Sequence, residues 1–483
     1  FGMFIILIFS TVGFGQINWE IEIVDSLNAN APLFDFSSLA LDTSDIPHIV
    51  YNKSDFSKVF YASRINSDWR KEIIESGLFY YGFSLIFDDN NIPHLSYYRK
   101  DDVLKRTYIC YARKEADNWQ IEEVDSFLSH PGNLFWDITS SISLDTLDLP
   151  GIAYIAWNAK DSLCYIKFAH YNGTNWDTSV VEYDTAYVNT QISITDYSPS
   201  LKFNSKNIPY ICFQQIYNHY DTLKIAYYDD TLNFWIVEPV IDCYGAGIPV
   251  SLELSSQDYP YIAHCLWGDL HCTWWDGLSW HSEGITPMGW HNIKINLALD
   301  SLDNPHIAYL PDPMVGHPCY CYKRNNTWIL CGWIEPDPST LTLRDISLAL
   351  DSNDQPHVCY QFVVDYTTGI KYAKGTFVGV KEGQDADLHL PILNISPNPF
   401  RDRVEIRLKT TDERLMTKDI SLKIYDVGGR VVKNFPLSPV YNLLPPIIWD
   451  GRDSAGNKIP SGVYFLQLRI GEHRVMRKTV LIR

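Results

Sequence analysis

The sequence predicts an all-β protein, a seven-bladed β-propeller followed by a small antiparallel β-sandwich. The first observation is a repeat with the consensus Ser-Leu-Ala-Leu-Asp-x-x-Asp-x-Pro-His-Ile-Ala-Tyr, which is clearest at 38–51, 296–309 and 347–360. The repeat prolines lie 45 to 59 residues apart, at Pro47, Pro93, Pro150, Pro209, Pro260, Pro305 and Pro356. A period near 50 residues is typical of stacked supersecondary units.

Each repeat predicts four antiparallel strands, which is one propeller blade. Residues 38–41 alternate small and large side chains, and Pro47–Tyr51 and the Tyr-Ala segment at 59–62 are rich in β-branched and aromatic residues. A fourth strand begins with a tryptophan, as at Trp69. Four strands per unit at this period favour a propeller.

The fourth-strand tryptophans also predict how the ring closes. They occur at Trp19, Trp69, Trp119, Trp176, Trp235, Trp280 and Trp328, and none follows the seventh Tyr-Ala pair at 372–373. The first strand of the chain, 19–24, is therefore expected to complete the last blade, so that neither blade keeps an open edge.

The turn between the first two strands has its own pattern. Five and two residues before each proline lie Asp, Asn or, once, Ser; the first pair is Asp42 and Asp45. The first side chain can bond the backbone two residues on, and the second tolerates a left-handed conformation. Because Asn and Ser are accepted, we expect turns here and not calcium sites.

Histidines and cysteines of the repeat are expected to be structural. His48, His94, His306 and His357 follow repeat prolines in different blades, where other blades carry Gly or Tyr, so no metal site is expected. Cys110, Cys164, Cys272 and Cys321 are assigned to one recurring third-strand position, and Cys212 and Cys359 replace the repeat Ala. The pairing of Cys243, Cys265, Cys319 and Cys331 stays open, with hairpin bridges Cys265–Cys272 or Cys319–Cys331 as alternatives.

Composition divides the chain into segments. Residues 1–16 contain an apolar run, 3–15, that indicates a secretion signal, complete or incomplete at its start, with a structural strand as the alternative. Residues 17–378 form the propeller, 379–393 a linker, and 394–483 the sandwich. The last segment holds 16 Lys and Arg against 9 Asp and Glu, so it carries +7 and the rest −26 of the net −19. An acidic propeller disfavours nucleic acid as a partner.

The last segment resembles the type A C-terminal sorting domain of cargo of the bacterial type IX secretion system, and the Ig-like domain of flagellar hook-capping proteins. The matching residues are Ser396 to Phe400, Tyr425 to Arg430, Trp449 to Gly451, Gly462 to Tyr464 and the basic, apolar tail. The resemblance implies an Ig-like fold, the secretion machinery as a partner, and a secreted or outer-membrane-surface protein. The repeats look more loosely like sialidase-type propellers, but no blade contains that family's Ser-x-Asp-x-Gly-x-Thr-Trp box.

Candidate ligand-binding residues are aromatic and polar side chains outside the repeat. Connections from strand two to three and from blade to blade are longer than the others, and we expect them on one face, where binding residues concentrate. The candidates on these loops are Trp267, Asp269, Trp290, His291, Trp136, Trp157 and Trp333. Aromatic rings on a concave face stack on sugars or anchor a protein.

These features favour a monomeric binding or adhesion module for a glycan or a surface protein, without a cofactor or a transmembrane anchor. The alternative is a glycan-active enzyme on the same propeller, a sialidase-like hydrolase or a lyase. No catalytic residue can be chosen among the many acids, and enzymatic activity is left open, with binding favoured. The ligand, and whether the last domain is removed after export, are not encoded in any motif we recognise.

Overall fold

The computed structural model divides the chain into two compact units, Phe1–Gly379 and Val380–Arg483. The described residues are 16–28, 36–53, 56–116, 118–129, 139–158, 163–184, 198–217, 220–242, 246–266, 268–287, 294–311, 316–335, 345–364, 367–378, 392–396, 400–401, 403–409, 420–426, 430–436, 447–454, 456–470 and 473–482. Every regular element among them is a β-strand. The expected secretion signal lies outside the described residues, apart from its last position.

The first unit contains seven four-stranded antiparallel sheets, which are the blades. The first strand of the chain, β1 (Gln16–Asn28), belongs to the last blade. Blades one to three are formed, in order, by β2 (Ser37–Leu41), β3 (Pro47–Asn52), β4 (Lys58–Ile65) and β5 (Asp68–Ser76); β6 (Phe79–Phe87), β7 (Pro93–Asp101), β8 (Arg106–Glu115) and β9 (Asn118–Leu128); and β10 (Ser141–Leu144), β11 (Pro150–Asn158), β12 (Leu163–Tyr171) and β13 (Trp176–Asp184).

The remaining blades repeat this order. They are β14 (Ser200–Phe203), β15 (Pro209–Tyr217), β16 (Tyr220–Asp229) and β17 (Phe234–Asp242); β18 (Ala246–Leu254), β19 (Pro260–Leu266), β20 (Asp269–Trp275) and β21 (Trp280–Pro287); β22 (Lys294–Leu299), β23 (Pro305–Leu310), β24 (Cys319–Arg324) and β25 (Thr327–Trp333); and β26 (Ile346–Leu350), β27 (Pro356–Val364) and β28 (Thr367–Val378), completed by β1. The predicted seven-bladed propeller is confirmed.

The first strands of neighbouring blades lie side by side and close a ring, in which β26 of blade seven contacts β2 of blade one. One hydrogen bond recurs at all seven junctions: the side chain of the repeat Ser, or of Asn296, accepts from the next blade's N–H. The pairs are Ser38 and Leu85 N (3.0 Å), Ser84 and Ile142 N (3.2 Å), Ser141 and Leu201 N (3.0 Å), Ser200 and Leu252 N (2.9 Å), Ser251 and Leu297 N (3.0 Å), Asn296 and Leu348 N (2.9 Å), and Ser347 and Leu39 N (3.1 Å).

The five-residue turns between first and second strands confirm the predicted geometry. In each turn the first polar side chain accepts from the main-chain N–H groups two and four residues on, as Asp42 does from Ser44 and Ile46 at 2.9 Å. The second polar residue is left-handed in all seven, with φ between 59° and 64°. Its side chain also reaches the neighbouring blade: Asp45 accepts from Ser352 N at 2.8 Å. These acids therefore shape the turns and join the blades.

The closing strand is confirmed. Strand β1 pairs antiparallel with β28 from Gln16 opposite Val378 to Asn28 opposite Thr367. Its side chains also bind blade one, where Glu22 accepts from Arg64 and from the indole N–H of Trp69, at 2.8 and 3.1 Å. The chain start thus fastens the last blade to the first.

Each fourth strand contains one β-bulge, which the sequence analysis did not predict. The extra residue is always apolar: Val24, Ile74, Val124, Val181, Val240, Ile285 and Cys331. A bulge twists the strand and shifts its alternation by one residue. Strict period-two reading of these strands therefore fails beyond the bulge.

The four repeat histidines are buried and structural in this fold. A third-strand tyrosine hydroxyl lies 2.7 Å from Nδ1 of His48, 2.6 Å from that of His94 and 2.6 Å from that of His357, and Tyr320 contacts His306 in the same way. Burial lowers the pKa of His48 and His94, and lowers the pKa of His357 to about 4. The four imidazoles therefore bridge the second and third strands, and burial favours the neutral form of His48, His94 and His357.

The cysteine assignment needs correction. The third-strand position that faces the repeat isoleucine holds Cys321, opposite Ile307, but Cys110 lies opposite Tyr97 and Cys272 opposite Ala263. The four cysteines do not share one position, because the second strands and the connections that follow them differ in length between blades. The cysteines of both suggested hairpin bridges, Cys265, Cys272, Cys319 and Cys331, are free thiols, and Cys243 lies outside the described residues.

The second unit contains two sheets around one apolar core. Sheet one is β29 (Ile392–Ser396), β30 (Val404–Lys409) and β33 (Ile447–Trp449); sheet two has the order β32 (Val431–Pro436), β31 (Ile420–Asp426), β34 (Gly462–Ile470) and β35 (His473–Leu481). Trp449 is 1% exposed and packs on Phe400 and Tyr464 at centroid distances of 5.3 and 5.6 Å. Residues of the sorting-domain resemblance thus form the core of a two-sheet unit.

Removal of the closing strand should destabilise the ring. A chain that begins at residue 30 leaves β28 with an open edge and deprives Arg64 and Trp69 of Glu22. We expect a lower and less cooperative thermal transition than for a chain that begins at residue 17. Equal melting curves for the two chains would contradict the closure.

The junction serines can be tested singly. Ser38→Ala leaves the buried N–H of Leu85 without its acceptor, and should lower the free energy of unfolding by about 1–3 kcal/mol. Ser44→Ala, in an exposed turn, is the matched control and should have little effect. Chemical denaturation measures both; a loss no larger for Ser38→Ala than for the control would refute the role of the hydroxyl.

Candidate functional site

The two ends of the propeller differ in their connections. Turns between strands one and two are five residues long in every blade and lie at one end. The opposite end carries the connections from strand two to three and from blade to blade, which range from two residues, as at 77–78, to fifteen, at 185–199. We call it the loop-rich face. Long, variable connections on one face are where binding residues concentrate.

Four of the predicted site residues lie outside the described residues: Trp136, Trp267, Trp290 and His291. Their neighbours are placed. Gly268 has φ of 82°, and it follows Trp267 in the two-residue connection between β19 and β20. These four residues stay predictions.

Trp157 is not on a loop, which corrects the sequence assignment. It lies in strand β11, opposite Cys164, and is 5% exposed. Strand two continues past the repeat tyrosine in this blade, and Trp157 packs in the core that blades one to four share. Little of its ring is left for a ligand.

Trp333 is the predicted candidate with an accessible ring. It ends strand β25 at the loop-rich face and is 50% exposed. Its indole stacks on the imidazole of His317, with 4.1 Å between centroids and 27° between planes. His317 is 5% exposed, and the next residue's carbonyl, Pro318 O, accepts from Ile334 N at 2.7 Å. The tryptophan is therefore held from behind, and it presents one face outward.

Asp269 opens strand β20 and is half-buried. Two residues on, His271 lies beside His264 with 5.7 Å between ring centroids. His264 Nε2 is 2.8 Å from Thr273 Oγ1, which donates to Ser282 at 2.9 Å. Burial lowers the pKa of His264 to about 3, and burial lowers the pKa of His271 against the opposing charge of Asp269. Burial thus favours the neutral form of both imidazoles, which lie within blade five.

The sequence analysis missed Asp345, the residue just before β26. Its Oδ2 accepts from Ser37 N of blade one at 2.5 Å and its Oδ1 from Ile346 N at 3.0 Å. Burial raises the pKa of the Asp345 carboxyl to about 6, although Lys294 and the bonds from Ser37 oppose the shift. As β26 and β2 are innermost strands, this carboxyl lies at the inner end of the loop-rich face. Nothing in the repeat marks it, because equivalent positions carry Phe, Gly, Thr, Ser, Pro and Lys.

Other buried carboxylates hold blades together. Asp25 accepts from Tyr51 OH of blade one at 2.7 Å and pairs with Lys53 and Lys71 at 2.8 and 2.9 Å. Burial acts to raise the pKa of Asp25, but hydrogen bonds from Lys53, Tyr51 and Lys71 outweigh it and hold the pKa below its usual value. The same tyrosine–acid–base group recurs at three other junctions: Tyr97–Glu75–Arg99, Tyr154–Asp125–Lys167 and Tyr360–Glu335–Lys371.

A metal centre is not indicated in the part of the chain that the structure describes. No group of three or more His, Cys, Asp or Glu side chains there has the arrangement that would hold a metal ion. The loop-rich face instead carries an aromatic platform, Trp333, on an outermost strand and a buried carboxyl of raised pKa, Asp345, beside an innermost strand. Such a surface can stack on a ring and exchange hydrogen bonds with hydroxyl groups.

The histidines of blade five predict a pH dependence. Since the pKa of His264 is lowered on folding, the unfolded chain binds more protons between about pH 3 and 6.5, and stability falls as the pH falls through that window. Relative to His264→Gln, the parent should lose about 1–3 kcal/mol from pH 7 to pH 4.5. Denaturation at the two pH values measures this. The exposed control His281→Gln should follow the parent; a His264→Gln variant that also follows it would contradict the assignment.

No protein-family model matches the chain, and neither does the sequence of any curated protein. Solved structures with a similar arrangement of strands include PorZ, a type IX secretion component of Porphyromonas gingivalis (11% identity, TM-score 0.24, 92% of this chain and 75% of that chain). Others are the six-bladed fucose-binding lectin of Aleuria aurantia (12%, 0.39, 63% and 97%) and the GH93 α-L-arabinofuranosidase of Fusarium graminearum (11%, 0.41, 72% and 94%). At such scores the blade assignment rests on this chain's own strand pairing.

Proposed function

We propose that this protein is an exported binding module whose loop-rich face recognises a glycan or the surface of another protein. The observation that carries the proposal is Trp333, a half-exposed indole held flat on a buried histidine at that face. A large exposed ring is costly to leave in water unless something covers it. A rigid ring also loses little entropy when a ligand stacks on it, and this suits the apolar face of a sugar or a hot spot for a protein.

The alternative is a glycan-active enzyme, hydrolase or lyase, on the same face. One observation favours it: the pKa of Asp345 is raised to about 6 by burial, as in a general acid. Asp345 also accepts from the main chain of Ser37, so it has a structural role that accounts for its burial without catalysis. We therefore rank binding first.

A glycan array combined with a panel of chromogenic glycosides separates the two functions. Retention of a defined glycan without turnover supports the binding module. Turnover that Asp345→Asn abolishes while glycan retention persists would replace it by the enzyme. If no glycan is retained or turned over, recognition of a protein remains as the function. Binding of candidate surface proteins to the parent and to a Trp333→Ala variant then tests it.

Truncation of the platform should separate binding from folding. Trp333→Ala should reduce the binding free energy of the partner by about 1–3 kcal/mol, the range of an interface hot spot, with little change in melting temperature. Trp267→Ala and Trp290→Ala are predicted to behave alike, with Asp269 and His291 orienting a polar group. Trp157→Ala is the matched control, since it removes a buried ring and should cost about 3–5 kcal/mol of stability. Large stability losses in the first three would end the binding hypothesis.

For the second unit we infer a sorting domain of the type IX secretion system, Ig-like in fold, that sends the chain to the cell surface or the medium. Its support is the set of matching motifs, several of which make turns or core here: Arg430 N donates to Asp426 at 2.9 Å, and Trp449 is buried. The net positive charge of residues 394–483 also distinguishes this unit in composition from the acidic propeller. No described segment forms a helix with the length and hydrophobicity that a bilayer crossing requires.

Removal of the second unit tests the proposed sorting function. In a host with type IX secretion, a chain truncated after residue 390 should stay inside the cell, while the propeller still folds because its core does not draw on the second unit's core cluster. Cell fractionation with blotting measures delivery, and the full-length chain is the control. Efficient surface delivery of the truncated chain would overturn the assignment.

A further inference from the structure

The seam between blades seven and one has a polar contact beyond the hydrogen bonds that recur at other junctions. Asp345 of blade seven accepts from Ser37 of blade one through both the main-chain N–H, at 2.5 Å, and the hydroxyl, at 3.3 Å. Cys359 donates to the same hydroxyl at 3.6 Å. At the inner end of the junction between blades three and four the acceptor is neutral and the bond runs the other way, since Ser198 Oγ of blade four accepts from Thr139 N of blade three at 2.9 Å. Only the seam carries an ionisable acceptor among these two.

The neighbouring strand of the same blade, β27, places Gln361 next to Asp345 in the strand pairing. Gln361 follows Tyr360, which pairs with Ile346, so it stands opposite Asp345, and its N–H approaches Asp345 O at 3.5 Å. Side chains of directly opposed residues share one sheet face. Gln361 is 1% exposed, and neither its Oε1 nor its Nε2 has a hydrogen-bond partner. Buried amide groups without hydrogen bonds destabilise a fold, so these two unsatisfied atoms need a physical explanation.

We propose that Asp345, which reaches across the seam to Ser37, and Gln361, its neighbour within blade seven, form a proton-operated latch that holds the ring closed. An amide can meet either state of a neighbouring carboxyl. When Asp345 is protonated, its O–H donates to Gln361 Oε1; when the proton has left to solvent, the carboxylate accepts from Gln361 Nε2. This reading gives the two orphaned atoms a use, and it does not depend on the proposed binding function.

The sign of the effect follows from burial. Among the described residues, two titratable groups interact with the Asp345 charge: Lys294 of β22, and Cys359 of β27, whose pKa is raised to about 12 by burial so that it stays a thiol. Lys294 only partly offsets the cost of burying the carboxylate. Because the pKa of Asp345 is raised on folding, the closed seam binds more protons than an opened one between about pH 4 and 6. The seam is therefore tightest in acid and loosens as the pH rises through about 6.

Hydrogen exchange of the full-length protein between pH 4.5 and 7.5, corrected for the intrinsic pH dependence of exchange, tests the latch. The protection of the seam strands, 37–41 and 346–350, should fall about 10- to 100-fold over this range relative to the strands 141–144 and 200–203. An equal response of all four strands would overturn the proposal, because the seam would then be no more sensitive than the junction between blades three and four.

Three variants sharpen the result. Asp345→Asn should keep the seam strands equally protected at every pH, whereas the control Ser198→Ala, at the equivalent position of blade four, should retain the parent's response at the seam. Gln361→Leu removes the donor to the carboxylate and should move the midpoint of the response to higher pH, a readout that a merely structural residue would not shift. A pH response that survives Asp345→Asn, or an unmoved midpoint in Gln361→Leu, refutes the latch; if Asp345→Asn does not fold, the parent comparison and Gln361→Leu still decide.

Discussion

A hydrogen bond from a main-chain N–H to the repeat serine of the preceding blade recurs at every junction between innermost strands, and the ring depends on it. A propeller blade is a complete sheet, so nothing in its own ladder orients the next blade. The serine, or Asn296, supplies a fixed point at 2.9–3.2 Å near the axis. Left-handed Asp and Asn side chains in the turns add a second point of attachment at one end. The tyrosine–acid–base groups add a third point of attachment, further from the axis, at four junctions.

These attachments explain why so much of the charge in the propeller is not available for chemistry. The first acid of a turn is engaged by N–H donors of its own turn, and the second by an N–H donor of the preceding blade. The acids after the bulges in four outer strands, such as Asp25 and Glu75, face tyrosine hydroxyls and Lys or Arg. A buried carboxylate is tolerated when it is paired in this way. Asp345 differs, since its donors are mainly main-chain groups and its nearest base, Lys294, does not prevent the rise of its pKa.

The loop-rich face carries two candidate groups whose positions follow from the blade architecture. Strand ends place Trp333 and Asp345 at the same end of the propeller, one on an outermost and the other beside an innermost strand. The first is exposed because it lies on the outermost strand of its blade. The second is buried because innermost strands converge on the axis. A ring for stacking and a carboxyl for hydrogen bonding thus come from blade position, and the repeat sequence does not have to encode either.

The sequence by itself determined the repeat, the number of blades, the closing strand and the turn chemistry, since each is local or periodic: Pro47 and Asp45 act within a few residues of themselves, and the count of fourth-strand tryptophans needs no distances. Tertiary structure alone decided which serine binds which neighbour, where the bulges fall, and that Trp157 is core while Trp333 is surface. It alone brought Asp345 to Ser37, 308 residues apart. Periodicity describes one blade, whereas these contacts lie between blades, and their partners are set by how sheets pack around a common axis.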